Sequence, residues 1–148
     1  MPSEKIIAHL EAQYKAWDLC LYPSGRICRK GSIDIRDGCG TSGYNHKMDR
    51  IVIFVPSGNT EDLERRHGKV CIIPDCSKLE ANEIELLHEM IHEMQYKELQ
   101  GTTLKGRDLH KKYKTRFAGP GHDEAFFTAI ARAAEALKVT PDELIKNI

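Results

Sequence analysis

Apolar positions along the chain change their period three times, and those changes divide it. Over residues 3–17 the apolar side chains Ile6, Leu10, Tyr14 and Trp17 recur at helical spacing behind Ser3, a good cap, which predicts an amphipathic helix. Tyr22-Pro23-Ser24-Gly25 reads as the turn that ends it. From residue 26 to 75 the pattern shortens. Ile33 and Ile35 alternate with polar neighbours, residues 51–55 form a compact apolar run, and residues 70–73 form another. Glycines and the Pro56-Ser57-Gly58-Asn59 turn punctuate these pieces, so a small, mainly antiparallel sheet is expected.

Helical spacing returns at Asn82 and runs to about residue 99. Asn82 with Glu85 has the form of a capping box, and Gly101 follows as a stop. Residues 101–121 carry little apolar periodicity and read as a long connection closed by Gly119-Pro120-Gly121. A further helix over 123–137 places Phe126, Ile130, Ala133 and Leu137 on one stripe. Thr140-Pro141-Asp142-Glu143 then opens a short final helix, with Thr140 as cap, Pro141 in the first turn and Val139 able to staple onto Leu144. The expected fold class is α+β: a single domain over 1–148 with an N-terminal helix, a small sheet, a long central helix and C-terminal helices.

Composition narrows the class without naming a chemistry. The chain has 148 residues, 41% of them apolar and 30% charged, an ordinary globular balance. No apolar run approaches the roughly 20 residues needed to cross a bilayer. The charges at Glu4 and Lys5 do not suit a signal peptide, which leads us to expect a cytoplasmic, reducing setting. Five cysteines (Cys20, Cys28, Cys39, Cys71, Cys76) without a secretory signal fit reduced thiols. Cys71 and Cys76 are the closest pair with metal-ligand spacing, but no second pair completes four ligands.

The decisive stretch is His88-Glu89-Met90-Ile91-His92 in the middle of the central helix. Four residues turn a helix by about 400°, so the two imidazoles project about 40° apart and one turn along the axis. That spacing allows both to grip one tetrahedral zinc. Glu89 points to the side of the two rings, suited to act as general base on a zinc-activated water rather than as a ligand.

A catalytic zinc requires a third protein ligand. In one broad class it lies six residues past the second histidine, after a glycine turn. Here that position is Glu98, and Gln95 stands in place of the glycine, so the helix continues and carries Glu98 away. His122, after the Gly119-Pro120-Gly121 turn and before a helix, is the leading alternative, with Asp123 and Glu124 as neighbouring carboxylates. His110 sits in a basic stretch, while His9, His46 and His67 have no local pattern.

Leu87-His88-Glu89-Met90-Ile91-His92, followed by Gly121-His122-Asp123-Glu124-Ala125-Phe126, resembles the SprT-like zinc metallopeptidases, the family that includes the Spartan proteases acting on proteins trapped on DNA. The resemblance implies one zinc ion per chain held by His88, His92 and His122, with Glu89 as general base and Phe126 packed behind the site. It also implies a zinc-dependent endopeptidase acting on a protein or peptide substrate, with DNA association as a candidate property and no membrane partner. Many members carry a zinc ribbon or DNA-binding tail after the catalytic domain, and no such segment occurs before Ile148. The residues after His122 are Asp-Glu-Ala where the best-known members read Gly-Pro-Glu or similar. The alternative from another class is a zinc-stabilised nucleic-acid or protein-binding module without protease activity.

Charge changes the picture once more. The 22 basic and 22 acidic residues cancel overall but are segregated. Lys105, Arg107, Lys111, Lys112, Lys114 and Arg116 face only Asp108 within 105–116, whereas the central helix and its lead-in are rich in glutamate. The basic stretch, with Tyr113 and Phe117 interleaved, is a candidate nucleic-acid contact; the plainer alternative is a solvated loop that pairs with nearby acids. Tyr113, His110 and Arg116 are the candidate donors to the oxyanion of a hydrolytic intermediate. An edge strand of the small sheet is the expected place for an extended peptide.

Overall fold

The computed structural model describes residues 2–22, 32–56, 58, 60–75, 78–97 and 101–148. The chain forms α1 (Glu4–Leu21), β1 (Ile33–Asp37), β2 (Gly43–Asn45), β3 (Arg50–Val55), α2 (Glu61–Arg65), α3 (Ala81–Lys97), α4 (Leu104–Tyr113), α5 (Glu124–Leu137) and α6 (Pro141–Asn147). The α+β architecture matches the sequence pattern. No helix among the described residues is long and apolar enough to cross a membrane.

Ser3 caps α1 by accepting the Ile6 N–H at 3.3 Å. The helix runs past residue 17 because Leu21 returns to the stripe of Leu10, Tyr14 and Trp17, all buried. Residues 23–31 lie outside the described residues, as do the Pro23-Ser24-Gly25 part of the expected turn and Cys28.

The sheet has the order β1-β3-β2 and is mixed. β2 pairs antiparallel with β3, Tyr44 opposite Ile51, through a short turn in which Asn45 Oδ1 accepts the N–H groups of Lys47 and Met48. β1 instead runs parallel to β3, Ile33 opposite Ile51 through Asp37 opposite Val55, which corrects the expected mainly antiparallel pairing. The chain between β1 and β3 is about a dozen residues, long enough for the crossover that parallel strands need. Along β3, Ile51, Ile53 and Val55 are buried while Val52 and Phe54 are half-buried, so one face of the sheet enters the core.

The apolar run at 70–73 forms no strand. Gln13 on α1 donates to the Cys71 carbonyl at 2.7 Å and accepts its N–H at 2.9 Å, and Trp17 Nε1 donates to the Ile72 carbonyl at 3.0 Å. Side chains of α1 thus take the backbone groups that a neighbouring strand would have used, and Val70, Ile72 and Ile73 remain exposed. Cys20 and Cys39 are free thiols, the Cys71 thiol donates to the Ile73 carbonyl at 2.8 Å, and Cys76 lies outside the described residues.

α3 starts two residues earlier than the Asn82–Glu85 box suggests. Glu83 Oε1 accepts the Glu80 N–H at 2.8 Å and Ile84 N–H donates to the Glu80 carbonyl at 3.0 Å, while Asn82 ties the helix to β3 through the Phe54 carbonyl at 3.0 Å. Two of its glutamates face inward. Glu83 pairs with His9 at 3.0 Å and Arg66 at 2.8 Å, and Glu93 accepts the Tyr14 hydroxyl at 3.1 Å and that of Tyr22 at 3.4 Å. These buried bonds fix α1 against α3.

The expected connection over 101–121 contains α4. Thr103 caps it by accepting the Gly106 N–H at 3.1 Å, and only Gly106 and Leu109 face inward. A Cβ at Gly106 would overlap Thr128 Oγ1, so glycine sets the close approach of α4 to α5. α5 and α6 follow the sequence reading closely, capped by Asp123 and by Thr140 with Pro141 in its first turn.

Candidate metal centre

His88 and His92 rise from one face of α3, and His122 meets them from the start of α5. The turn that delivers His122 needs positive φ at Gly119 (88°) and Gly121 (92°), a conformation that favours glycine. Gly121 lies directly against His92, since a Cβ there would approach its Cε1 to 3.7 Å. His122 Nε2 stands 3.1 Å from His88 Nε2 and 3.2 Å from His92 Nε2. One ligand atom from each of the three residues lies within 4.8 Å of the others, so His88, His92 and His122 form a cluster able to hold a metal ion. A tetrahedral zinc with bonds of about 2.0–2.1 Å sets its nitrogens about 3.3 Å apart, close to the spacing of both Nε2 pairs.

The rear of the His92 and His122 rings faces oxygen. His92 Nδ1 lies 3.0 Å from Gln95 Oε1 and His122 Nδ1 lies 3.3 Å from the Gly119 carbonyl. Acceptors behind Nδ1 of His92 and His122 draw the ring protons there and leave the Nε2 lone pairs turned inward, the arrangement a metal requires. Aromatic rings fill the remaining space. Phe126, fully buried, stacks on His92 at 4.4 Å and meets His122 edge-on at 4.8 Å, while Phe117 stacks on His122 at 5.3 Å and meets His88 at 5.3 Å.

Burial sets the charge state of His88 and His92. It pushes His88 down to about 3, helped by the nearby His92 and His122, and pushes His92 down to about 4 against the opposing bond from Gln95. Both rings are therefore neutral near pH 7, as metal ligation demands. Glu89 moves the other way: burial, reinforced by the Glu85 carboxylate, raises it to about 8, and a hydrogen bond from the Tyr44 backbone opposes the shift. A carboxylate with that proton affinity is suited to take up and return protons near neutrality. Glu85, His88 and Glu89 share the wall of a 280 Å³ cavity with Gly40, Thr41 and Ser42.

The other sequence candidates fall in different places. Tyr113 gives its hydroxyl to Asp142 on α6, which also binds Lys112 at 3.0 Å. His110 packs edge-on against Phe127 at 5.6 Å. Arg116 lies over the Phe117 ring at 5.4 Å, and its charge is the smallest of the effects that lower His88. Lys105, Arg107, Lys111 and Lys112 stand exposed on α4, with Lys114 and Arg116 exposed in the turn after it. Asp123 caps α5 through the Phe126 N–H at 3.1 Å and accepts from Gln95 at 3.2 Å. His9 is buried on Glu83, His46 stacks on Tyr96 at 4.6 Å, and His67 faces the Lys5 carbonyl at 3.0 Å. Glu98 lies outside the described residues.

No family model, curated protein or solved structure matches this chain. Its chemistry is carried by the geometry of the cluster. Gln95, Phe117 and the Tyr44 backbone all touch this centre although no motif pointed to them: Gln95 stood out only as a missing glycine, and Phe117 only as an aromatic in a basic stretch.

Proposed function

We propose that the chain is a zinc-dependent metalloendopeptidase of the SprT-like type. The observation that carries this reading is the convergence of three imidazoles, two of them one turn apart on α3, beside the proton-hungry carboxylate of Glu89. The order His-Glu-x-x-His, then a glycine-led histidine with phenylalanine four residues on, supports the family. Zinc at this site supplies a Lewis acid that polarises a carbonyl and acidifies water.

The protein's own groups do the rest. Glu89 takes the proton released as water attacks a peptide carbonyl and returns it to the departing amine. The Tyr44 N–H holds that carboxylate in place from the sheet side. Among the described strands β2 lies at an edge of the sheet, the side along which an extended peptide can add. Arg116, beside Phe117, is the group we assign to steady the negative charge that develops on the carbonyl oxygen. The test is Glu89→Gln: zinc stays bound, and cleavage of an unfolded protein substrate falls by at least a hundredfold. Undiminished cleavage would overturn the assigned role.

A nucleic-acid partner is favoured by one observation, the row of exposed cations on α4 and its following turn. The expected result is binding to single-stranded DNA that weakens steeply with salt; binding insensitive to salt would contradict phosphate contacts on this face. A zinc-stabilised binding module without protease activity would show the same DNA affinity with no Glu89-dependent hydrolysis.

A further inference from the structure

We infer that Gln95 and Asp123 form a positioning relay that sets the tautomer of His92 and locks the second and third ligands into one unit. The inference rests on the proposed metal site and adds to it a reason why one ring is presented correctly. Gln95 occupies α3 three residues beyond His92 and is buried. Its Oε1 lies 3.0 Å from His92 Nδ1 and its Nε2 donates to Asp123 Oδ1 at 3.2 Å. Asp123 is in turn fixed, because the same oxygen accepts the Phe126 N–H at 3.1 Å and caps α5.

The direction of the relay follows from what each group can do. An ionised aspartate only accepts, so the Gln95 amide must turn its NH2 toward Asp123. Its oxygen then faces His92, and an amide oxygen also only accepts. The His92 proton is thereby placed on Nδ1, and Nε2 keeps its lone pair toward His88 and His122. Reversing the amide would set two acceptors face to face at Asp123 and turn the NH2 group onto Nδ1, moving the ring proton to Nε2, the nitrogen that a metal needs free. Asp123 adjoins His122 in the chain, so the same carboxylate that orients His92 also holds the start of the helix that presents the third ligand. A carboxylate sequenced directly after a candidate ligand is thus a support for two ligands rather than a ligand itself.

Partners behind a metal-bound histidine typically change metal affinity by 10–100-fold when removed. The experiment compares native protein with Gln95→Leu, Gln95→Glu, and Gln95→Glu combined with Asp123→Asn, reading zinc affinity by chelator competition and the His92 tautomer by 15N NMR of the metal-free protein. Gln95→Leu is expected to weaken zinc at least tenfold and to make His92 a mixture of tautomers. Gln95→Glu sets two carboxylates against each other and is expected to weaken zinc as well. The double variant restores a donor at 123 facing an acceptor at 95, and is expected to recover most of the affinity and the Nδ1–H form. Such rescue separates positioning from packing, since a packing role would not depend on which partner carries the amide. Native-like affinity and an unchanged tautomer in Gln95→Leu would overturn the relay, as would failure of the double variant to rescue. Should the native protein bind no zinc, the metal reading fails, and the NMR comparison alone still decides whether Gln95 sets the His92 tautomer.

Discussion

Phe126 stacks against His92 with ring centroids 4.4 Å apart and planes 30° from parallel, and it is fully buried. The same ring meets His122 edge-on, so one side chain on the first turn of α5 supports two rings of the cluster from behind. Packing and metal affinity should therefore fall together when it is cut back. Phe126→Ala is expected to destabilise the metal-free fold by about 3–5 kcal/mol. Phe126→Leu, which keeps most of the volume, should cost less in stability yet still weaken zinc. Chemical denaturation with and without a chelator measures both.

Gly106 provides a test of the packing of α4 on α5. Helix propensity alone predicts that Gly106→Ala gains up to about 1 kcal/mol. The space does not exist, because the added methyl would overlap Thr128 Oγ1 and lie 2.8 Å from the Thr128 backbone. The substitution should instead cost about 1–3 kcal/mol. Adding Thr128→Ala should relieve only part of the loss, since the clash with the backbone of α5 remains. A stabilised Gly106→Ala protein would show that the two helices do not approach this closely.

Acid–base behaviour of the metal-free protein has a definite sign. The folded state raises Glu89 from 4.5 to about 8, so its contribution to stability is full below the unfolded value and is lost as pH rises through about 8. His88 and His92 are lowered from 6.5 to about 3 and about 4, so their contribution is present above pH 6.5 and is lost as pH falls toward those values. Glu89→Gln removes the first effect alone. Its melting temperature in chelator should exceed that of the native protein by a margin that grows between pH 6 and 9, worth about 2 kcal/mol at the top after allowing for partial exposure. A margin independent of pH would contradict the burial of Glu89.

Much of the centre was legible because helical spacing is a local property. A step of four residues from His88 to His92 places two rings on one face whatever the rest of the chain does, and the glycines ahead of His122 announce a turn. α5 and α6 were equally readable, since Asp123, Thr140 and Pro141 mark their starts in a few residues. α4 was hidden because its inward face is only Gly106 and Leu109, too sparse to give a period. The run at 70–73 misled for the opposite reason: it is apolar, but side chains fifty-odd residues away on α1 claim its backbone. The parallel pairing of β1 with β3 and the link from Gln95 to Asp123 are likewise long-range, and no local pattern encodes them.

Zinc content measured by plasma mass spectrometry on purified protein tests the central claim most directly. The account predicts one zinc per chain in the native protein, one in Glu89→Gln, and close to none in His122→Ala. Native protein without zinc after exposure to a stoichiometric amount, or His122→Ala holding a full equivalent, would contradict a centre built from His88, His92 and His122.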